Sequence, residues 1–335
     1  MTHRRRTSRG PLPQRDGLDA VRCVPTAQES GSTAWDILTS RFPALLSPDA
    51  HPLTDRFARG DIVDRAGTPL QPGTVLTRAD EVFFHRERTP EHVEPVTIPV
   101  VAHDEHLLVV DKPAGLATIP RGEHIRRSAL VRLRVAHGLP DLSPIHRLDK
   151  QTAGLLAFST RREERGAYQA MFAEPGRVQK AYRAVCRVGE LTEAGRQLLR
   201  TGHAEVYAPI RKEHGHLWAE VSDQGRSAWT SVRITGRARS HSADLVRVEL
   251  VPHTGRTHQL RVHLDHLGLP ILHDELYPAP PRHPITGARE RAPIPSQPLQ
   301  LLAERLAFTD PVTGEQRSFR SQLTLSEEEG LPWRS

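Results

Sequence analysis

The feature that most constrains this chain is a short polar segment that runs directly into an apolar one. Residues 143–158 read S-P-I-H-R-L-D-K-Q-T-A-G-L-L-A-F. The apolar run that closes the segment predicts a buried strand at Leu155–Phe158. A carboxylate held where a strand begins is well placed to act as a nucleophile or a general base. Asp149, which follows His146 and Arg147, stands at such a position.

The composition predicts a soluble protein with a hydrophobic core. Of the 335 residues, 37% are hydrophobic and the mean hydropathy is −0.49. No run approaches the roughly 20 apolar residues of a membrane helix, and the charged N-terminus lacks the apolar stretch of a secretory signal. Only Cys23 and Cys186 are present, too few for a disulfide framework or a thiolate metal site. We therefore expect no membrane partner and a reducing, cytoplasmic environment.

The charge favours a polyanionic partner. The net charge is +6 and the sequence pI is about 9.8, which makes nucleic acid plausible. Lysine occurs at only four positions, and the other 42 of the 46 basic residues are arginine. Arginine suits bidentate phosphate contacts and stacking on bases, although genome composition accounts for the larger share of this bias. A lysine at a motif position is therefore a specific choice rather than an interchangeable cation.

The N-terminal part of the chain predicts a tail followed by a small module. Residues 1–30 are basic and poor in apolar residues, which predicts a disordered tail. Residues 31–90 predict two helices, the first over 33–46, and short strands at 62–63, 75–76 and 82–84. This order resembles an S4-type RNA-binding module, and a structural cap on the next domain is the alternative. Residues 86–95 are polar and bounded by proline, as in a linker.

The rest of the chain, over 96–325, predicts an α+β domain. Apolar runs at 96–101 and 107–110 and alternating segments at 180–188 and 245–251 predict strands, with a closing strand near 306–308. Helical segments fall between them in irregular order, which favours a mixed, largely antiparallel central sheet with flanking helices. A proline-rich excursion covers residues 278–298.

Four separated stretches of this domain resemble one family in that family's own order. They read V-V-D-K-P-A-G-L at 109–116, H-R-L-D-K-Q-T-A-G-L-L at 146–156, K-A-Y-R-A at 180–184 and T-G-R-T-H-Q-L-R-V-H-L at 254–264. The last continues as H-L-G-L-P-I-L-H-D at 266–274, and a looser match covers 301–308. The set resembles the RluA-type RNA pseudouridine synthases. Three positions depart from the family pattern: Ala153 replaces Ser, His273 replaces Gly and Leu302 replaces His.

The resemblance implies the pseudouridine synthase fold and an isomerase that converts uridine in RNA to its C5-glycoside. The reaction breaks the C1′–N1 bond and joins C1′ to C5, so it requires neither a redox cofactor nor a metal. Asp149 matches the catalytic aspartate of the family. Tyr182 would line the pocket as the candidate for the C5 proton, and Arg261 would pair with Asp149. An ordinary phenol, with a pKa of about 10, is a poor base.

Further residues are candidates for RNA contact. A base in a duplex must be flipped out before it can react, and Arg147 matches the family residue that fills the vacated stack. The other candidates are His146, Lys112, Lys180, Arg256 and His258.

Each catalytic candidate also has a structural interpretation. Asp149 could cap a turn, and Tyr182 could be an ordinary strand aromatic. On a helix that begins near Thr257, Arg261 and Asp265 stand at i and i+4, so Arg261 could make a surface salt bridge. The apolar residues of that helix, Leu260, Leu264 and Leu267, would face the core.

Two other functions stay open on the sequence. The three departures and the basic tail suit an inactive RNA-binding or ribosome-assembly factor on the same fold. The abundance of histidine suggests a metal-dependent hydrolase, but the His-Glu-x-x-His pattern of zinc hydrolases is absent, and we expect no metal. The N-terminal module favours ribosomal RNA as the substrate over transfer RNA, and we expect a monomer.

Overall fold

The computed structural model describes residues 10–48, 50–86, 95–120, 127–213, 216–239, 244–278 and 297–328. The chain divides into two compact units. One takes in the residues up to Pro95 together with Arg134–Pro140, and the other takes in Val96–Leu133 and the residues from Asp141 onward. No helix within the described ranges has the length and apolar character needed to cross a bilayer.

The first unit packs two short helices against a small antiparallel sheet. Its elements are β1 Val21–Cys23, α1 Ala34–Arg41, a 3-10 turn Pro43–Leu46, α2 Leu53–Ala58, β2 Ile62–Val63 and β3 Val82–Phe84. The strand order is β1-β3-β2. Helix α1 begins after Thr33, whose side chain accepts a hydrogen bond from the Asp36 amide. Its face formed by Ala34, Ile37 and Leu38 is buried in the core of the unit.

Two predictions for this unit are wrong. Residues 10–30 are not a disordered tail, because β1 pairs with β3 and buries Cys23. Residues 1–9 of the predicted tail lie outside the described residues. Val75–Leu76 is not a strand, since Val75 makes only a single bridge to Thr33. The S4-type resemblance stays a prediction, and residues 87–94 of the predicted linker are outside the described ranges.

From Val96 onward the chain forms one large sheet with helices packed on it. The strands are β4 Val100–His103, β5 Leu107–Lys112, β6 Ser143–Pro144, β7 Ala153–Ser159, β8 Val178–Arg187, β9 His203–Tyr207, β10 Ile210–Arg211, β11 Glu220–Val221, β12 Trp229–Arg239, β13 Asp244–Pro252, β14 Leu301–Thr309 and β15 Gln316–Arg320. The helices are α3 Ala129–His137, α4 Arg165–Ala173, α5 Glu193–Thr201 and α6 Gln259–His266, with a 3-10 turn Ser326–Glu328 near the end.

The sheet order confirms the predicted fold class. The strands follow the order β4-β5-β7-β14-β8-β13-β12-β9, with β6 paired to β7 and β15 to β14, while β10 and β11 form a separate hairpin. Among the described strands, only β7 and β14 pair in parallel. The predicted closing strand is therefore a central one, because β14 lies between β7 and β8. Most of the proline-rich excursion, residues 279–296, lies outside the described residues.

Two hydrophobic cores cover neighbouring parts of the sheet. Helix α4 buries Tyr168 and Met171 against β5, β7 and β14. Helix α6 buries Leu260 and Leu264 against β8, β12 and β13, and Leu267 follows them into the same core, as the sequence predicts. The polar motifs contribute to both cores, because Ile145 belongs to the first and Tyr182 and Leu260 pack in the second.

Gly154 allows the close approach of β7 to β14. Its φ is 107°, in the region that favours glycine, and an added Cβ would lie 2.3 Å from the Ala303 carbonyl oxygen. Gly154 and Ala303 are register partners in the parallel pair. Since Asp149 lies five residues before Gly154, this contact also fixes the start of the motif strand.

We expect Gly154→Ala to destabilise the protein by at least about 2 kcal/mol, because the backbone carbonyl cannot move aside as a side chain could. Gly166→Ala is the matched control. Gly166 lies in α4, nothing lies within 4 Å of its added Cβ, and the change should stabilise by roughly 0.5–1 kcal/mol. Urea unfolding measures both, and equal unfolding free energies for the two variants would contradict the packing argument.

Candidate active site

The sequence-predicted residues converge on one cleft in the second unit. A cavity of about 470 Å³ is lined by Asp149, Tyr182 and Arg261, which come from the loop before β7, from β8 and from α6. Of the other candidates, the cleft is also lined by Arg147, His146, Lys180, Arg256 and His258. Apolar walls come from Ile145, Leu148, Phe172, Leu260 and Leu301. The cleft thus combines one carboxylate with several cations and an apolar floor.

Lys112 and Thr118 hold the loop that carries Asp149. The Lys112 Nζ donates to the carbonyl oxygens of Pro113, Leu116 and Lys150 at 2.8–3.1 Å. The Thr118 hydroxyl donates to the Leu148 carbonyl at 2.8 Å and accepts from the Leu148 amide. Lys112 is fully buried. The prediction that it contacts RNA is therefore wrong, because its ammonium is enclosed and ties two loops together.

Arg261 is a buried cation with two carboxylate partners. Its Nε and Nη2 donate to Asp274 Oδ2 and Oδ1 at 2.7 and 2.6 Å, a bidentate pair. Its Nη1 lies 3.7 Å from Asp149 Oδ2. The side chain of Arg261 is 3% exposed and that of Asp274 is 0% exposed, whereas that of Asp149 is 34% exposed. Arg261 therefore faces Asp149 as predicted, but Asp274 is its main partner and the surface pair with Asp265 is not its role.

Electrostatics keeps Arg261 charged. Burial by itself would lower the pKa of the guanidinium, but the hydrogen bonds and charge of Asp274 outweigh it, with Asp149 adding to the effect, so the pKa of Arg261 is raised. The cation is held by Asp274 at a fixed place beside the partly exposed Asp149 carboxylate. It can stabilise negative charge there without reorganising.

Asp274 is the functional residue that sequence reasoning missed. Its Oδ1 also accepts from the amides of Leu276 and Tyr277 at 2.8 and 3.1 Å, so the chain turns around this carboxylate. The preceding residue, His273, has a φ of 60°. This left-handed backbone explains why the family pattern has glycine where His273 stands. The sequence did carry a signal for Asp274, because this acid ends the stretch at 266–274 that resembles the family pattern.

Tyr182 lies on the cleft wall as a neutral phenol. It packs against the α6 core and pairs in register with Leu250 of β13. Burial, and secondly the charge of Asp149, raise the pKa of Tyr182 well above its ordinary value. The hydroxyl therefore stays protonated near neutral pH, the opposite of the shift that a general base would need.

Three cationic candidates surround the cleft in different ways. Arg147 is exposed at its mouth. Lys180 places its Nζ 5.2 Å from the centre of the Phe172 ring, and burial lowers its pKa. Arg256 donates from Nε to the Ser227 carbonyl at 2.8 Å, which leaves the far end of its guanidinium for other contacts.

His258 bridges the carboxylate and the buried phenol of Tyr277. Its Nε2 lies 3.9 Å from Asp149 Oδ2, and its Nδ1 lies 3.1 Å from the Tyr277 hydroxyl. That hydroxyl donates to the Ala219 carbonyl, so His258 Nδ1 is the donor in the second contact. Burial lowers the pKa of His258 although Asp149 opposes the shift.

His146 supports the cleft wall through packing. Its ring stacks on Phe172 at 4.7 Å with an angle of 5°, and its Nε2 accepts the Ala157 amide at 3.1 Å. Burial, with a smaller effect of Lys180, lowers the pKa of His146 to about 3. The neutral ring thus fixes the polar segment onto β7, and its predicted contact with RNA stays a prediction.

The histidines of α6 form no metal centre in the described part of the chain. No group of three or more His, Cys, Asp or Glu side chains there has the geometry to hold an ion. His263 is buried, with Nδ1 2.9 Å from the Thr230 hydroxyl and Nε2 2.9 Å from the Ala208 carbonyl. Its two ring nitrogens are thus used inside the core.

Comparison with known proteins identifies the family. Residues 106–266 match the model of the RNA pseudouridylate synthases. The chain is 32% identical over 228 residues to the dual-specificity RNA pseudouridine synthase RluA of Haemophilus influenzae, covering 67% of this chain and 93% of that protein. It is 29% identical over 270 residues to the ribosomal large subunit pseudouridine synthase D of Pseudomonas aeruginosa, covering 77% and 79%. The chain belongs to the RluA-type RNA pseudouridine synthases.

A solved structure is also similar. Human RNA pseudouridylate synthase domain containing 4 has 25% sequence identity and a TM-score of 0.49, over 68% of this chain and 88% of that one.

This pseudouridine synthase is therefore an isomerase that acts on uridine in RNA. The family motifs coincide with the cleft, because the matched residues 106–266 supply Asp149, Tyr182 and Arg261. Asp274, which holds Arg261, lies just beyond the match.

We expect Asp274→Asn to cost on the order of 3–5 kcal/mol of stability, because it leaves the buried Arg261 without its main counter-charge. Turnover should fall roughly 100-fold where the variant is still folded, since a displaced guanidinium no longer faces Asp149. Asp265→Asn, the partner at helical spacing, is the matched control and should cost far less. Urea unfolding measures the stability of the two variants, and single-turnover assays measure their activity. Equal losses of stability in Asp274→Asn and Asp265→Asn would favour the interpretation of Arg261 as part of a surface salt bridge.

His146 should make the protein sensitive to acid. Its pKa is about 3 in the fold, below the ordinary value, so the unfolded chain takes up a proton that the fold does not. The stabilisation is complete above about pH 6.5 and is lost as pH falls toward 3, by about 1.4 kcal/mol per pH unit. The stability advantage of the wild type over His146→Asn should therefore shrink across this window. An advantage that stays constant between pH 7.5 and 4 would show that the neutral ring is not required.

Proposed function

We propose that this enzyme isomerises uridines in ribosomal RNA with Asp149 as its catalytic carboxylate. The observation that carries the proposal is the placement of a partly exposed Asp149 beside the buried, charged Arg261, with Tyr182 on the same cleft wall. A carboxylate next to a fixed cation, and open to a ligand, suits the sugar–base step.

The reaction needs only the groups that this chain supplies. Asp149 would either attack the nucleotide or abstract a sugar proton, and either step lets the C1′–N1 bond break. The detached uracil would turn within the apolar part of the cleft, and C1′ would join C5. The proton that leaves C5 is balanced by the proton that N1 gains, so the reaction is redox-neutral and needs no electron acceptor. We propose that the enzyme works without a cofactor.

Tyr182 would act as a neutral hydroxyl. Because the pKa of its phenol is raised, a phenolate is a poor choice for removing the C5 proton. We infer that Tyr182 stacks on the uracil and relays the proton through its hydroxyl rather than holding it. Arg147, exposed at the mouth of the cleft, would occupy the stack that the flipped nucleotide leaves.

The relatives guide the choice of RNA. One is named for the large ribosomal subunit and another for dual specificity. With the S4-type resemblance of the first unit, these favour ribosomal RNA, with transfer RNA as the second substrate. We further propose a monomer that works in the cytoplasm.

The alternative of an inactive RNA-binding factor receives no support from the three departures. Ala153, His273 and Leu302 are absent from the described residues that line the cleft. His273 adopts the backbone of a glycine position, and Leu302 is fully buried in the sheet. The departures therefore lie in the supporting structure rather than at the reacting groups.

We expect Asp149→Asn to lower isomerisation by at least roughly 100-fold without unfolding the protein, because the amide cannot act as nucleophile or base. The substrates are 23S ribosomal RNA and transfer RNAs transcribed in vitro, and carbodiimide-blocked primer extension maps the product. Asp223→Asn, an exposed carboxylate in a turn, is the matched control. Activity that survives in Asp149→Asn would refute the assigned role, and product in transfer RNA alone would refute the assigned substrate.

A further inference from the structure

Three aromatic rings form a stacked row outside the cleft. The centre of the Trp229 ring lies 5.3 Å from the centre of the Tyr207 ring, and the two ring planes form an angle of 21°. The centres of the Trp229 and His253 rings are 3.7 Å apart, with an angle of 17° between the planes. Tyr207 and Trp229 are register partners at the ends of β9 and β12, and His253 directly follows β13. We name Tyr207, Trp229 and His253 the aromatic ladder.

Two of the three rings of the aromatic ladder are exposed, although aromatic side chains usually pack into a core. Tyr207 is 67% exposed and Trp229 is 36% exposed. Strand alternation directs both away from the buried Val206 and Thr230, hence away from the core under α6. In the described sheet β9 is the last strand, so no further strand covers the outer face of the Tyr207 ring.

Hydrogen bonds fix the ladder in place. The Trp229 Nε1 donates to Glu205 Oε2 at 2.5 Å, and the Ser231 hydroxyl donates to the same oxygen at 2.8 Å. His253 Nε2 lies 2.8 Å from the Ser231 hydroxyl oxygen. Because that hydroxyl donates its hydrogen to Glu205, His253 Nε2 is the donor in this contact. The rings are therefore pre-organised, and binding to them would cost little conformational entropy.

The ladder is joined to the rim of the cleft. The Trp229 amide donates to the Thr254 hydroxyl at 3.0 Å, and the Trp229 carbonyl accepts the His253 amide at 3.0 Å and the Gln259 side chain at 2.9 Å. Thr254, Gln259 and the neighbouring Arg256 all line the cleft. The backbone of Trp229 is thus hydrogen-bonded to two residues that line the cleft, Thr254 and Gln259.

We propose that the aromatic ladder stacks, on the outer face of its Tyr207 ring, an unpaired nucleobase that flanks the target uridine. Every base offers a π-face, and aromatic platforms beside basic side chains are the usual means of holding single-stranded RNA. Arg226 is exposed three residues before Trp229, and Arg256 lies on the rim. The carboxylate within the patch, Glu205, accepts bonds from Trp229 and Ser231. The inference rests on the proposed action on RNA and adds where the substrate strand runs.

The test measures binding of a fluorescein-labelled, nine-nucleotide single-stranded RNA of mixed sequence by anisotropy. We expect Tyr207→Leu to weaken binding about 10-fold because it removes the ring that the base stacks on. Trp229→Leu should also weaken binding, because the Tyr207 ring loses the ring that it packs against. Tyr207→Phe and Trp229→Tyr should restore binding, because they keep a ring. The slope of log K against log salt should not change, since no phosphate contact is lost, whereas Arg226→Gln should reduce it.

The outcomes separate this inference from the proposed function. All variants are compared in an Asp149→Asn background, so that binding is read without catalysis. Leucine variants that bind the oligonucleotide as tightly as the wild type would overturn the proposal for the ladder. A loss of affinity that comes with a changed salt slope would also overturn it. If the ladder variants weaken binding while no RNA is isomerised by the wild type, the ladder stands and the proposed function fails. If Trp229→Leu does not fold, Tyr207→Leu still decides the test, because Tyr207 is an exposed residue on the edge strand.

Discussion

The site depends on one buried ion pair. Arg261 lies almost wholly inside the protein, where an unpaired guanidinium would be very costly, and Asp274 satisfies it in a bidentate contact. Because Asp274 takes Nε and Nη2, the remaining nitrogen, Nη1, is the one that faces Asp149. The pair thus neutralises the cation and also aims it. A lysine could not do both, because its ammonium lacks the planar fork.

The carboxylate side of the site is held by contacts that involve no substrate. Lys112 and Thr118 fasten the loop before β7, and Gly154 lets β7 lie close against β14. His146 adds a neutral ring that anchors the same segment. Asp149 can therefore stay partly exposed and still have a defined position, which is what a group that meets a flipped nucleotide requires.

Beyond the cleft, the side chains of the ladder are also held in place by hydrogen bonds. The aromatic ladder of Tyr207, Trp229 and His253 is bonded through its backbone to Thr254 and Gln259 on the cleft rim. The proposed contact with a base beside the target uridine depends on how the ladder and the cleft rim are aligned. Here the register comes from three adjacent strands that end at one level.

The sequence by itself determined the motifs, the α+β class and the polar residues of the cleft, because each is encoded over a few consecutive residues. Tertiary structure alone decided the partners. Asp265 is close to Arg261 along the helix, yet Arg261 pairs with Asp274, because a turn brings Asp274 to the buried guanidinium. Lys112 looks like a surface cation in the sequence and is enclosed by a loop 38 residues away. The ladder depends on cross-strand register, which couples residues too distant in sequence for any local pattern to reveal.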